Sequence, residues 1–333
     1  MRIAVIGAGS WGSAIAFLLG EKGTEVNLWA RNAELVSTIN ATHHNPRYLA
    51  EVQLPNTITA TNDLSEALSD TDAVVLATPS SAVRETAHTL AATGLLPQEK
   101  PVVILSKGIE HATGLTLLEV LADELGCRER LAVLSGPNHA EEVARGILSA
   151  TLIAAYENQV ACFFQEVFAT SRFRVYTSSD VTGVQLCAAS KNVIAIAAGI
   201  AAGLGFGDNT AAMIITRGLA EISRLVQAAG GQPQTCMGLA GMGDLIVTCM
   251  SKHSRNRSFG VALAQGKTLE EYQRETHMVV EGAFASQTIP RLAKACDVEV
   301  PISNRVHDVI WEDRPLDDMI TELMERPFKS EFY

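Results

Sequence analysis

Short apolar runs punctuate the first half of the chain: Ile3 to Ile6, Val26 to Trp29, the AVVLA stretch inside Asp72 to Pro79, Val102 to Leu105 and Leu131 to Leu134. Runs of this length bounded by turn residues read as buried parallel strands. Helical patterns lie between them at Ser13–Leu19, Ala33–Ile39 and Leu115–Leu125, the last stopping at Gly126. Asp63, with Glu66 three residues on, reads as a helix cap. The segment HHNPRYLAEVQLP, broken by Pro46 and Pro55, reads as a polar loop. Ala150 to Ala155, a helix over Val160–Phe168 and Arg174 to Thr177 read as the closing strand–helix–strand elements of the sheet. Beyond residue 178 the strand-like runs stop and Ala-, Ile- and Leu-rich helical stretches take over. The pattern therefore predicts two domains, an α/β domain over 1–178 and an all-helical one over 179–333.

The first strand runs into Gly7, Gly9 and Gly12, spaced G-x-G-x-x-G, then a helix and a second strand that delivers Arg31. In that context the glycines predict a dinucleotide site. Gly7 permits the tight turn, Gly9 lets the backbone approach a pyrophosphate, and Gly12 lets helix and strand pack closely. The helix start offers unpaired N–H groups and the positive end of its dipole. An acidic residue at the end of the second strand would suit the 2′-hydroxyl of NAD. Arg31 stands there instead, so NADP is favoured over NAD, with Glu34 as the group that still allows NAD.

With 333 residues, 47% hydrophobic and 19% charged, the chain is long and apolar enough for two cores. A net charge of −11 argues against a nucleic-acid surface, and it makes any local gathering of cations informative. The six cysteines form no C-x-x-C pair and no H-E-x-x-H is present, so reduced thiols, a cytoplasmic location and no metal are expected. No secretory signal is read at the start. The apolar stretch Val193–Leu204 is short for a bilayer and reads as a buried core helix, so no integral membrane segment is expected. The Ala- and Gly-rich helices leave both a single core and a homodimer open.

Thr78, Pro79 and Ser80 follow one strand, Lys107 follows the next, and Gly136, Asn138, His139 and Ala140 follow another. Carboxyl ends of parallel strands line the ligand crevice of an open α/β sheet. His139 is a candidate acid or base, with a structural loop histidine at a helix start as the favoured reading. Ser178-Ser179-Asp180 opens a helix in which Lys191 stands among apolar residues. Burial disfavours the charged form of such a lysine and tunes it for proton transfer. In GLAGMGDL the glycines read as a flexible turn, with Asp244 capping the next helix or holding Lys191 or a substrate hydroxyl. The densest cation cluster is Ser251 to Ser258. There Ser254 reads as the cap of a helix running to Gly266, with Arg255 and Asn256 in a first turn suited to a phosphate. Glu281, beside Gly282, precedes another helix, and by itself it points to no role.

Together GAGSWGSA (7–14), LSKGIE (105–110), LSGPNHAEE (134–142), KNVIAIAAG (191–199), GLAGMGDL (238–245), SRNRSFG (254–260) and VVEG (279–282) carry a resemblance. In this order and spacing the chain resembles the bacterial NAD(P)-dependent glycerol-3-phosphate dehydrogenases over essentially its full length. The resemblance implies a Rossmann domain with a mostly parallel, doubly wound sheet, followed by an all-α domain like that of 6-phosphogluconate dehydrogenase. It implies a cofactor on Ser10, Trp11, Arg31, Lys107, Ala140, Arg255, Val279 and Glu281. It implies glycerol 3-phosphate or dihydroxyacetone phosphate on Lys107, Gly136, Asn138, Lys191, Asp244, Ser254, Arg255 and Asn256, with Lys191 as proton donor and acceptor. Many relatives carry Ser-Phe where this chain has Asn138-His139. A hydroxy-acid dehydrogenase of the same architecture and a non-catalytic NADP sensor are the competing expectations. The lysine in the apolar helix and the separate anion site speak against the sensor.

Overall fold

The computed structural model describes every residue except 326, 329, 332 and 333, so the end of the expected helical domain lies partly outside the described residues. By contacts the chain divides into two compact units, Met1–Ala188 with Gln234–Asp244, and Ala189–Pro233 with Leu245–Tyr333. The last strand ends at Ser178, where the domain boundary is expected, whereas the division by contacts falls ten residues later, inside one long helix.

The first unit carries ten strands: β1 (Arg2–Ile6), β2 (Glu25–Trp29), β3 (His44–Asn45), β4 (Leu49–Gln53), β5 (Ile58–Thr61), β6 (Ala73–Leu76), β7 (Val102–Ile104), β8 (Leu131–Ser135), β9 (Ser149–Ala155) and β10 (Phe173–Ser178). Eight form one sheet in the order β10-β9-β8-β7-β6-β1-β2-β5. Its pairings are parallel except β8 with β9. The β9–helix–β10 unit is itself parallel, and hangs upside down on the rest. Strand residues alternate between two cores, which is why the runs are apolar throughout. Ile3 and Val5 enter the core that holds Phe164 and Phe168. Ala4 and Ile6 enter the one that holds Leu90, Leu118 and Leu121. Chain order reverses at β1, with β2 on one side and β6 on the other, which makes the carboxyl end of β1 the switch point of the sheet.

The polar segment 43–55 is not the expected loop. It folds into the antiparallel ribbon β3–β4, pairing His44 with Gln53 and Asn45 with Leu49. Leu49 and Leu54 are buried, and so is Asn45, whose Nδ2 donates to Ala8 O at 2.9 Å and to Ser13 Oγ at 2.8 Å. The anchor is thus a buried amide with long-range partners, which no periodicity reveals.

The second unit is helical. Its central helix belongs to Val181–Gly203, twenty-three residues and the one described helix long and apolar enough to cross a membrane; 89% of its apolar window is buried inside the protein. The apolar run is therefore longer than the expected stretch, and burial rather than shortness marks it as a core helix. Its glycines set a close crossing with the helix Arg255–Ala264, which stops two residues short of the expected Gly266. A Cβ at Gly199 would lie 2.1 Å from Arg257 O, and one at Gly260 would lie 2.2 Å from Ile196 O. The small residues of KNVIAIAAG are thereby used within the unit's own core.

Candidate active site

At the switch point Gly7 has φ 118°, and a Cβ there would meet Ala77 O at 2.7 Å. A Cβ on Gly12 would lie 1.8 Å from Gly7 O. Both positions are glycine because the protein's own backbone fills the space. Gly9 differs: its φ is −72°, and nothing lies within 4 Å of a Cβ built there. That open ground adjoins the start of the helix Ser10–Glu21, whose N-cap Gly9 supplies no side-chain bond. Unpaired N–H groups, a dipole end and free space fit the pyrophosphate of a dinucleotide. Ser10 Oγ donates to Tyr48 O at 3.2 Å, and Trp11 packs with Ala14, Leu49, Ala140 and Ala144. Ser10, Trp11 and Ala140 are therefore neighbours around the turn. Arg31 lies exposed just after β2, and Glu34 lies exposed in the first turn of the next helix.

The other strand ends of this unit carry a polar set. Lys107 follows β7, and its Nζ donates to Gly136 O at 3.1 Å and to Asp244 Oδ2 at 2.6 Å. Asp244 is 2% exposed and Lys107 20%, so the pair is largely shielded from water and from salt. Asp244 does not stand before the next helix as its N-cap, and is instead the C-cap residue of the turn that precedes it. Leu239–Gly243 is a π-helical turn that leads directly into the helix Asp244–Met250, and Asp244 is that helix's first residue. The turn is tightly packed as well, since a Cβ on Gly241 would lie 2.2 Å from Cys236 O. The loop beyond Lys107 is fastened at Glu110, which accepts two bonds of 2.8 Å from the Arg84 guanidinium. Those bonds hold the Glu110 carboxyl below its ordinary range. Asn138 Nδ2 donates to Ala150 O at 2.9 Å, while Asn138 Oδ1 and the hydroxyls of Thr78 and Ser135 are buried without a partner. Buried polar atoms left unmatched cost about 1–3 kcal/mol each, and these three follow or end strands on the side where an open α/β sheet takes its ligands. His139 is the N-cap residue of the short helix Ala140–Ala144, and its side chain makes no capping bond.

In the second unit Lys191 is 6% exposed, and its Nζ donates to Thr248 Oγ1 at 2.8 Å. Ser254 caps its helix as expected, accepting from Arg257 N at 3.2 Å. Arg255 is the first residue of that helix and is exposed. Asn256 has a further use: its Nδ2 donates to Asn192 Oδ1 at 2.9 Å, and its Oδ1 accepts from Gly282 N at 2.9 Å. Through Gly282, Asn256 is tied to the start of the helix Glu281–Ala295, where Glu281 is half-buried and Val279 exposed. Sequence reasoning missed Thr248 and Asn192. Thr248 is the lone hydroxyl in the apolar turn LIVTCM, and Asn192 adjoins Lys191, so both left a weak signal that only the contacts raise. Among the described residues no cluster of three or more His, Cys, Asp or Glu side chains is arranged to hold a metal ion.

Two family models cover most of the chain. Residues 2–161 match the N-terminal domain of NAD-dependent glycerol-3-phosphate dehydrogenase, and residues 180–321 match its C-terminal domain. A glycerol-3-phosphate dehydrogenase [NAD(P)+] of Chlorobium luteolum is 45% identical over 334 residues, covering 99% of each chain. One from Corynebacterium aurimucosum is 48% identical over 332 residues, again covering 99% of each. The crystal structure of a glycerol-3-phosphate dehydrogenase from Coxiella burnetii superposes with a TM-score of 0.92 at 38% identity, covering 98% of this chain and 99% of that one. The glycine turn at the switch point, the strand-end lysine paired with Asp244 and the buried lysine of the helical unit thus stand in a chain that belongs to the NAD-dependent glycerol-3-phosphate dehydrogenase family.

Proposed function

We propose that this protein reduces dihydroxyacetone phosphate to sn-glycerol 3-phosphate with NADPH or NADH, reversibly, and so supplies glycerophospholipid synthesis. The observation that carries the reading is Lys191, a lysine buried in an apolar helix of a chain whose relatives bear this activity in their names. The bound dinucleotide supplies the hydride that reduces the ketone carbon. Gly9 and the start of the helix Ser10–Glu21 take its pyrophosphate, with Gly7 and Gly12 shaping the turn. Ser10, Trp11, Arg31, Lys107, Ala140, Arg255, Val279 and Glu281 complete its contacts. Arg31, a fork able to pair with a 2′-phosphate, supports NADP over NAD.

Lys191 gives a proton to the carbonyl oxygen as negative charge develops there, and its own charge stabilises that oxygen beforehand. Thr248 holds Nζ in place for that transfer. Ser254, Arg255, Asn256 and the helix start bind the phosphate and so orient the ketone. Lys107, Gly136, Asn138 and Asp244 hold the remaining polar groups of the substrate. The proposed location is the cytoplasm, which the six free cysteines support, and the proposed assembly is a homodimer, checked by light scattering.

NADPH oxidation followed at 340 nm with dihydroxyacetone phosphate tests the activity, against 2-keto acids as the rival substrates. Preference for a keto acid would replace this reading with the hydroxy-acid one. Lys191→Ala is expected to keep cofactor affinity and lose roughly 10²–10⁴-fold in kcat, the range for a positioned acid or base. Full turnover in that variant would remove Lys191 from the mechanism.

A further inference from the structure

The ribbon β3–β4 carries no residue assigned to cofactor or substrate, yet its buried amide reaches into the glycine turn. Asn45 is 0% exposed, and its hydrogen-bonding groups are all engaged. One Nδ2 proton goes to Ala8 O at 2.9 Å, the other goes to Ser13 Oγ at 2.8 Å, and Oδ1 accepts from Tyr48 N at 3.3 Å. Ala8 is the residue between Gly7 and Gly9, and Ser13 follows Gly12. The amide therefore clamps both ends of the turn at once. A second tie runs the other way, from Ser10 Oγ to Tyr48 O at 3.2 Å, and Leu49 packs on Ala14 and Ala140 beside it.

A glycine-rich turn is the most freely deformable part of a backbone, and an anion site made of N–H groups works only if those groups are held still. The glycines permit the conformation but do not select it. Selection here falls to Asn45, because Ala8 O and Ser13 Oγ would otherwise be buried polar groups short of a donor. Ser13 Oγ adds only a long bond of 3.4 Å to the same carbonyl. We propose that Asn45 is a positioning residue for the dinucleotide: it acts through Ala8 and Ser13 to hold the turn open at Gly9, without touching the cofactor. The inference rests on the reading that this turn receives NADP(H).

The test is the affinity of the apoprotein for NADP⁺ by calorimetry, with no substrate present, in Asn45→Leu, Ser13→Ala and the wild type. Asn45→Leu keeps the volume and removes both donors; the expected loss is about tenfold or more in Kd, the size that one lost buried hydrogen bond carries. Its KM for dihydroxyacetone phosphate at saturating NADPH should stay within about twofold of wild type, since the substrate contacts are untouched. A folded Asn45→Leu with wild-type NADP⁺ affinity, or one whose substrate KM rises in step with its Kd, would overturn the proposal. If Asn45→Leu does not fold, Ser13→Ala decides: a loss of about threefold supports the clamp, and wild-type affinity overturns it. A wild-type protein that binds no dinucleotide would sink the cofactor reading itself. A wild type that binds NADP⁺ but ignores dihydroxyacetone phosphate would sink only the proposed substrate.

Discussion

Lys191 and Glu221 are both ionisable and both buried, and the chain uses them differently. Lys191 keeps a hydroxyl partner, in a stretch whose sequence already marked it as out of place. Glu221 drew no notice, because an acid in the helix Asp208–Ala228 is unremarkable until its surroundings are known. It is 2% exposed, accepts from Ile302 N at 2.8 Å and Ser303 N at 3.0 Å, and so caps the helix Pro301–Trp311 from another helix. Burial pushes its carboxyl up, against the pull of those donors and of Arg224. An acid raised in the native state binds its proton more tightly there than in the unfolded chain. Its contribution is complete below the ordinary carboxyl value and is lost as pH rises through the native one. Replacing Glu221 with Gln removes that loss. The melting temperature of the variant, relative to wild type, should therefore climb as pH rises above the ordinary carboxyl range, whatever its offset. A difference that stays flat over the same range would mean that Glu221 is ionised in the native protein throughout.

At the scale of elements, the strands were legible and the ribbon was not. A parallel strand covered on both faces must be apolar at every position, so AVVL and IAVI announce themselves. The ribbon is edge structure with polar side chains facing water, and what fastens it is an amide bonded to a residue thirty-seven positions upstream. The helix crossing at Gly199 and Gly260 lies between these cases. Its small residues were visible, but their partner was not. Because a Cβ at Gly260 would also lie 2.8 Å from Ile200 N, no side-chain rotation relieves it. Gly260→Ala should destabilise the protein by about 1–3 kcal/mol, the usual cost of overpacking, read from urea unfolding. It should also weaken the phosphate grip of the same helix, seen as a raised KM for dihydroxyacetone phosphate. An unchanged urea midpoint would show that the two helices can part without cost.

For the molecule as a whole, six thiols and no disulfide among them divide by burial. Cys187, Cys236 and Cys249 are buried, and Cys127, Cys162 and Cys296 are partly exposed. Cys187 and Cys236 lie with their sulfurs 3.5 Å apart, and that contact together with burial pushes the Cys187 thiol up, away from the reactive thiolate. A colorimetric thiol titration should find the three partly exposed cysteines reacting first, and the remaining three reacting only as the protein unfolds. Rapid reaction of all six in the native protein would mean that the units open far more readily than their burial implies.

What the sequence by itself determined is whatever local chemistry enforces. Continuous apolar runs require a sheet covered on both faces, the glycine spacing requires a tight turn before a helix, and Ser254 sets a helix start. Those features sufficed for the fold class, the glycine turn and the Ser254 helix start, whereas the cofactor roles of Ser10, Trp11, Ala140, Val279 and Glu281 entered only with the family resemblance. Only the tertiary structure decided which groups answer one another. It pairs Asp244 with Lys107 instead of setting it as the N-cap of the next helix, it commits two of the hydrogen-bonding positions of Asn256 to Asn192 and Gly282, and it seats Asn45 on Ala8. These are hydrogen bonds between residues far apart along the chain. Their strength comes from burial and geometry that exist only once the chain has folded, so no run of neighbouring residues can encode them visibly.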